Sequence, residues 1–174
     1  MAEPAILIAY FSHPGQNYVN GDIVDLAVGN TEVAAKKLAA ITGGRLFRIE
    51  QAQTYPQDYH ELTEVAKKEL RAGARPALKS APPDMAGVDL LLLGYPNWWG
   101  TMPMPVWSFL QALDTSGKKI APFCTNEGSG MGRSEKDLRA LCPGAVILPG
   151  LPLIGHKVAG SDEALRTWAT PLIR

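Results

Sequence analysis

PAILIAYFSHPGQNYVNGDIVDLAVGNTEVAAKKLA, residues 4–39, opens on an unbroken apolar run and closes on a helical pattern. The segment between them decides the fold. Pro4 to Phe11 has the continuous hydrophobicity of a parallel strand covered on both faces. From Thr31 to Thr42, Ala34, Leu38 and Ile41 share one helical face, Glu32 precedes Lys36 by four residues, and Gly43-Gly44 stops the helix. A strand followed so late by its helix must hold an excursion. Asn20-Gly21 sits between the β-favouring residues Tyr18-Val19 and Asp22-Ile23-Val24, which is a hairpin signal. We therefore expect a hairpin-like insertion at about 17–30, returning so that Gly29-Asn30-Thr31 opens the helix. Ser12-His13-Pro14-Gly15-Gln16-Asn17 offers hydroxyl and amide groups beside a Pro-Gly turn, suited to an anion. No lysine or arginine stands there, but oriented amides at a helix N-terminus hold an anion without one. Taken alone, the loop also reads as an ordinary strand–helix turn.

Working outward, Asp89 to Tyr95 and Lys119 to Cys124 repeat the buried-strand pattern, and Arg45 to Glu50 alternates as an edge strand does. Ala145 to Leu148 and Leu151 to Ile154 suggest a fifth strand interrupted by Pro149-Gly150. Helical patterns fall at Asp58 to Ala72, Val106 to Leu113, Ser134 to Leu141 and Ser161 to Leu172. The best of these has Asp58 as cap, Glu61 at the capping-box position and an apolar stripe of Leu62, Val65, Ala66 and Leu70. Alternating strands and helices specify an α/β fold with a mostly parallel sheet wound on both faces, in a single domain over 1–174.

Composition bounds the function. The chain has 174 residues, 46% hydrophobic and 20% charged, with 17 Lys+Arg against 17 Asp+Glu. Neutrality argues against a nucleic-acid binder. Cys124 and Cys142 are too few for a disulfide scaffold, and the apolar run is too short to span a membrane. The expectation is a soluble cytoplasmic protein, monomeric or homodimeric, without a metal site.

In sheets of this kind ligands bind beyond the carboxyl ends of the strands, where the winding direction switches. Besides the loop after Phe11, two more deserve inspection. Tyr95-Pro96-Asn97-Trp98-Trp99-Gly100-Thr101 places two adjacent tryptophans at the tip of a buried strand. Both cannot face inward, so one should present its ring to a flat aromatic ligand, unless the pair covers the core or a subunit interface. Thr125-Asn126-Glu127-Gly128-Ser129-Gly130-Met131-Gly132 leaves bare amides able to approach a ligand's polar edge. Its glycines lack the dinucleotide spacing, Ser129 has no partners for a nucleophile elbow, and Ser116-Gly117-Lys118-Lys119 is no phosphate loop.

Together, "YFS…GNTEVA", "GYPNWWGTMPMPV" and "PFCTNEGSGMGRSEKDL" resemble the flavodoxins, in the bacterial flavodoxin-like branch whose first loop carries an extra segment. The resemblance covers roughly residues 5 to 155. It implies a three-layer α-β-α sandwich around a five-stranded parallel sheet of order 2-1-3-4-5, with FMN bound non-covalently. It implies that Ser12, Gly15, Gln16, Asn17 and Thr31 surround the FMN phosphate with His13 nearby. Pro96, Asn97, Trp98, Trp99 and Gly100 would flank the isoalloxazine, with the Trp99-Gly100 backbone near its N5. Thr125, Asn126, Gly128, Ser129 and Gly130 would contact its other edge. No positive charge is expected near the ring. Two functions suit this: an electron carrier serving a redox partner protein, or an FMN-dependent NAD(P)H oxidoreductase passing electrons to quinones or nitroaromatics. A flavin-free interaction domain would require the Trp pair and the glycine loop to be coincidences. Carriers of the family are strongly acidic, whereas this chain is neutral.

Overall fold

The protein is described here by a computed structural model covering residues 4–174. In chain order the elements are β1 (Ile6–Tyr10), β2 (Gly15–Val19), β3 (Asp22–Leu26), α1 (Asn30–Thr42), β4 (Arg45–Arg48) and α2 (Tyr59–Ala72). They continue with β5 (Leu90–Pro96), α3 (Met104–Gln111), β6 (Lys119–Asn126), α4 (Ser134–Leu141), β7 (Val146–Ile147), β8 (Leu151–Ile154) and α5 (Asp162–Ala169).

The main sheet is parallel. β1 pairs β4 on one side and β5 on the other, and β6 follows β5. Both β7 and β8 lie on β6, against its first and last residues respectively. They share one position because Pro149-Gly150 interrupts the strand. Counted by position, the order is 2-1-3-4-5, as the resemblance implies. Leu7, Ala9, Leu91, Leu93 and Tyr95 point to a core shared with Val106, Phe109 and Leu110 of α3 and Leu138 of α4. Ile8, Tyr10, Leu90 and Leu92 point to the opposite core with Ala34, Ala35 and Leu38 of α1 and Leu165 and Ala169 of α5. Period-two alternation between two apolar faces is what a continuous hydrophobic strand sequence encodes.

The hairpin stands apart as a two-stranded antiparallel sheet of β2 and β3. Its turn puts Asn20 at φ 48° and Gly21 at φ 96°, the two left-handed residues that a tight primed turn demands. α2 is capped as the sequence indicates, with Asp58 accepting a hydrogen bond from the Glu61 amide. α2 lies outside both core clusters, against α3 and β2.

Two helices differ from their expected bounds by more than one residue, α3 ending at Gln111 rather than Leu113 as well as starting early, and α5 ending short. α3 starts at Met104 rather than Val106, because Pro105 falls in the first turn, where a missing N–H is harmless. α5 ends at Ala169, and residues Thr170–Leu172 continue only as a 3₁₀ turn, since Pro171 has no N–H for the α-ladder. Gly155–Gly160 forms another 3₁₀ helix for which the sequence pattern gave no signal. Among the described residues, no helix is long and apolar enough to cross a membrane.

The sheet centre has one tight point. A Cβ on Gly94 would lie 2.3 Å from the Phe123 ring on the neighbouring strand. Gly94→Ala is expected to lower stability by about 1–3 kcal/mol through overpacking. Urea unfolding, read as a shifted midpoint at unchanged slope, checks this.

Candidate functional site

A cleft of about 580 Å³ opens at the carboxyl ends of β1, β5 and β6, within the usual size of a small-molecule site. One end is a helix N-terminus. Gly29 is the N-cap of α1 and supplies no capping side chain. The Ser12 hydroxyl accepts a hydrogen bond from the Glu32 amide at 3.1 Å, and the Glu32 side chain is turned away. The Glu32 carboxylate is paired with Arg48 at 2.5 Å and Lys36 at 3.3 Å, which balances its charge. The amides of Asn30 and Thr31 have no partner among the described residues. They point their partial positive charge toward the cleft, as first-turn amides do. A Cβ on Gly29 would lie 2.2 Å from the Ser12 hydroxyl and 2.9 Å from the His13 carbonyl oxygen, so glycine lets the first loop close down on the helix.

His13 lines the same end. Its ring meets Trp98 edge-on at 5.9 Å, and its Nε2 is buried without a hydrogen-bond partner among the described residues. Burial lowers the pKa of this imidazole, so the neutral form is favoured. A buried nitrogen left unpaired is costly unless a ligand completes it.

Gln16 and Asn17 line the cleft but their side chains have structural partners. The Gln16 carbonyl accepts from the Tyr59 amide at 2.8 Å, tying the hairpin to α2. Asn17 Nδ2 donates to the His13 and Gly15 carbonyls at 2.9 and 3.0 Å, bracing its own turn. Gly15 and Ser12 shape the loop without lining the cleft. The Thr31 and Thr125 hydroxyls meet at 2.7 Å and join the first turn of α1 to the third loop.

The Trp pair divides. Trp98 turns inward, edge-on to Phe11 at 5.2 Å and Tyr55 at 5.3 Å. Trp99 remains 46% exposed. Its backbone adopts φ 57° and Gly100 follows at φ 85°, while Trp98 and Thr101 exchange backbone hydrogen bonds across this turn. A bulky residue in the left-handed region carries local strain. The ring is held by two contacts from α2: its Nε1 donates to the Thr63 carbonyl at 2.9 Å, and Lys67 Nζ lies 5.0 Å from the ring centroid.

Asn97 joins the second and third loops, donating to the Gly130 carbonyl and accepting from the Gly100 amide, both at 2.9 Å. Arg133 N donates to the Gly100 carbonyl at 2.7 Å. Pro96, Asn97, Trp98, Trp99, Thr125, Asn126 and Ser129 all line the cleft; Gly100, Gly128 and Gly130 form the turns behind it. Asn126 Oδ1 accepts from the Gly128 amide at 2.9 Å, fixing the start of the glycine turn. Cys124, at the end of β6, is fully buried and its thiol pKa is pushed far up by that burial, which leaves it unreactive.

Other lining residues fall outside the set expected from sequence. Asn30 and Glu127 belong to stretches already singled out. The Glu127 carboxylate accepts from the His156 backbone amide at 3.1 Å and lies 2.6 Å from its Nδ1. Tyr18 enters from the hairpin, and Tyr59, Leu62, Thr63 and Ala66 form a wall on α2. Leu62 and Ala66 are the apolar stripe of that helix, here facing the cleft instead of a core. Periodicity tells which residues share a face, not what the face meets. Among the described residues, Glu127 is the one carboxylate that lines the cleft, and no lysine or arginine lines it. Cations do stand just outside it: Lys67 over Trp99, and Arg133, whose guanidinium would lie 3.7 Å from a Cβ on Gly100. This corrects the expectation that no positive charge is near. Among the described residues no cluster of metal-binding side chains occurs.

The sequence profile of the flavodoxin family matches residues 5–171. No curated protein matches the sequence. Among solved structures, a candidate flavoprotein from Bacteroides eggerthii shares 30% identity with a TM-score of 0.78, over 99% of this chain and 98% of that one. A second candidate flavoprotein, from Bacteroides uniformis, shares 29% at TM-score 0.78, over 97% and 99%. A flavoprotein from Lactobacillus acidophilus in complex with FMN shares the fold at 17% identity and TM-score 0.66, over 93% of this chain and 98% of that one. With a family match over nearly the whole chain and the parallel sheet in matching order, the protein belongs to the flavodoxin family.

Proposed function

We propose that the protein binds FMN non-covalently in this cleft and carries electrons through it. The observation that carries the reading is the pairing of two features at one end of the cleft: free amides at the α1 N-terminus and the unpartnered Nε2 of His13. The amides seek an anion and the imidazole nitrogen a hydrogen-bond partner. Beside His13, Trp98 and then Trp99 offer aromatic surface, and family membership and the FMN-bound Lactobacillus structure agree with the assignment. FMN, when bound, supplies reversible one- and two-electron chemistry. The chain's residues do the rest. Asn30, Thr31 and His13 would hold the phosphate, Asn97 and Asn126 keep the two ring loops in place, and Trp98 with Trp99 excludes water from the ring.

The α2 wall of Tyr59, Leu62 and Ala66 favours one second reading, an FMN-dependent NAD(P)H oxidoreductase, because it lines the cleft with apolar surface that a planar acceptor would use. An absorbance spectrum after FMN addition and desalting separates the cases. Yellow flavin bands should stay with the protein; their loss at micromolar protein overturns the proposal. Rapid anaerobic bleaching by NADH or NADPH identifies an oxidoreductase, and persistence until a reductase is added identifies a carrier.

Two variants test the roles of single residues. His13→Phe keeps the ring against Trp98 but removes Nε2. We expect FMN to bind about tenfold more weakly, the equivalent of about 1.5 kcal/mol for one hydrogen bond to a charged group. In the unfolded chain His13 takes up its proton near pH 6.5, about the ordinary histidine value, and in the folded protein only at lower pH. Across that interval the unfolded state holds more protons, so acidification lowers the stability of the FMN-free protein. His13→Phe should flatten the dependence of melting temperature on pH below about 6.5. Gly100→Val puts a β-branched residue where φ is 85°, which forces the turn to rearrange. The spacing of the two FMN potentials in a potentiometric titration should change; identical potentials in variant and parent would refute a role for this turn.

A further inference from the structure

We propose that the β2–β3 ribbon is a docking arm for a protein redox partner whose contact face is apolar and rimmed by lysine or arginine. The inference rests on the electron-transfer reading above and adds the surface through which the electrons' partner is met. Among the described residues, β3 pairs with β2 and makes only sparse contacts with other elements. Asp22, Ile23, Val24 and Asp25 are all exposed, so both faces of this strand are open. A two-stranded ribbon without a packed face is marginal in water, and a free strand edge presents unpaired amides and carbonyls. Ile23 and Val28 are each 42% exposed and Val24 is 38% exposed. As neighbours on a strand, Ile23 and Val24 turn to opposite faces of β3, so each face of the arm offers one β-branched side chain to a partner, with Val28 in the segment that follows.

Charge selects the occupant. From Pro14 to Thr31 the charged residues are Asp22 and Asp25, with no lysine or arginine. A basic rim around an apolar centre complements that arm. A second copy of this chain does not. In an antiparallel β3–β3 pairing about a two-fold between Ile23 and Val24, Asp22 of one copy would face Asp25 of the other, and like charges directly opposite are destabilising. Position supports a redox role, since Gln16, Asn17 and Tyr18 of the same ribbon line the cleft. A protein seated on the arm is therefore held at the cleft mouth, beside the exposed ring of Trp99.

The test uses a lysine-rich cytochrome c as probe partner and menadione as an uncharged small acceptor. Holoprotein reduced with dithionite is mixed with each in a stopped-flow spectrometer. Ile23→Ser/Val24→Ser and Asp22→Asn/Asp25→Asn should each slow cytochrome c reduction by about fivefold or more at low ionic strength, the charge variant losing most of the salt dependence. Menadione reduction should match the parent in both. Parent rates in both variants overturn the proposal, as does a parent that reduces menadione and leaves cytochrome c untouched. So does a sedimentation result in which the parent dimerises and Ile23→Ser/Val24→Ser does not, which would give the arm to a second copy. Calorimetric titration of oxidised cytochrome c into the FMN-free chain reads docking without any flavin. Arm-dependent binding there, together with failure to retain FMN, would sink the FMN reading and leave the docking arm standing.

Discussion

The parallel ladder between β1 and β5 is the constraint on which the molecule depends. Ile6 opposes Leu90 and Tyr10 opposes Gly94, and both faces of the pair are buried. From this pair the chain leaves in two directions, through α1 to β4 and through α3 to β6. The connecting segments therefore part above the carboxyl ends of two adjacent strands, and a crevice must open there. Phe11, whose amide bonds to the Gly94 carbonyl at 3.0 Å, extends the ladder to the edge of that crevice. Every loop of the candidate site is anchored within a few residues of this point.

The cleft is organised around amides rather than cations. Its polar end consists of helix-end N–H groups, hydroxyls and one imidazole, while Arg48 and Lys36 neutralise the nearby Glu32 from behind. The positive side chains close to the second and third loops, Lys67 and Arg133, are tied to Trp99 and Asp137 respectively. Their fields reach the cleft from outside without a cationic side chain among its described lining residues. Oriented dipoles of this kind need no reorganisation when an anion arrives.

How much of this was legible in the sequence varies by element. The buried strands were, because Ile6 to Phe11 and Leu90 to Tyr95 have no polar residue to suggest a solvent face. The primed turn at Asn20-Gly21 was, because few residues tolerate two left-handed conformations in succession. The split fifth strand was marked by Pro149-Gly150. Asn17 shows what was not: a sequence reveals an amide donor, but its commitment to the His13 and Gly15 carbonyls is set only when the loop closes. The contribution of Tyr59, Leu62 and Ala66 was hidden for a related reason. α2 lies over the cleft instead of over the sheet, and that placement follows from long-range contacts such as Gln16 with Tyr59.

The broken strand at the far side of the sheet has a consequence for behaviour in concentrated solution. A long open edge would recruit further strands and seed aggregates. Here that edge consists of two residues, an interruption, and four residues of which Pro152 has no amide hydrogen to offer. At the opposite margin β4 is only four residues long and begins and ends with arginine. Neither margin gives an incoming strand a continuous ladder to join, so the sheet stops growing at the boundary of its own chain.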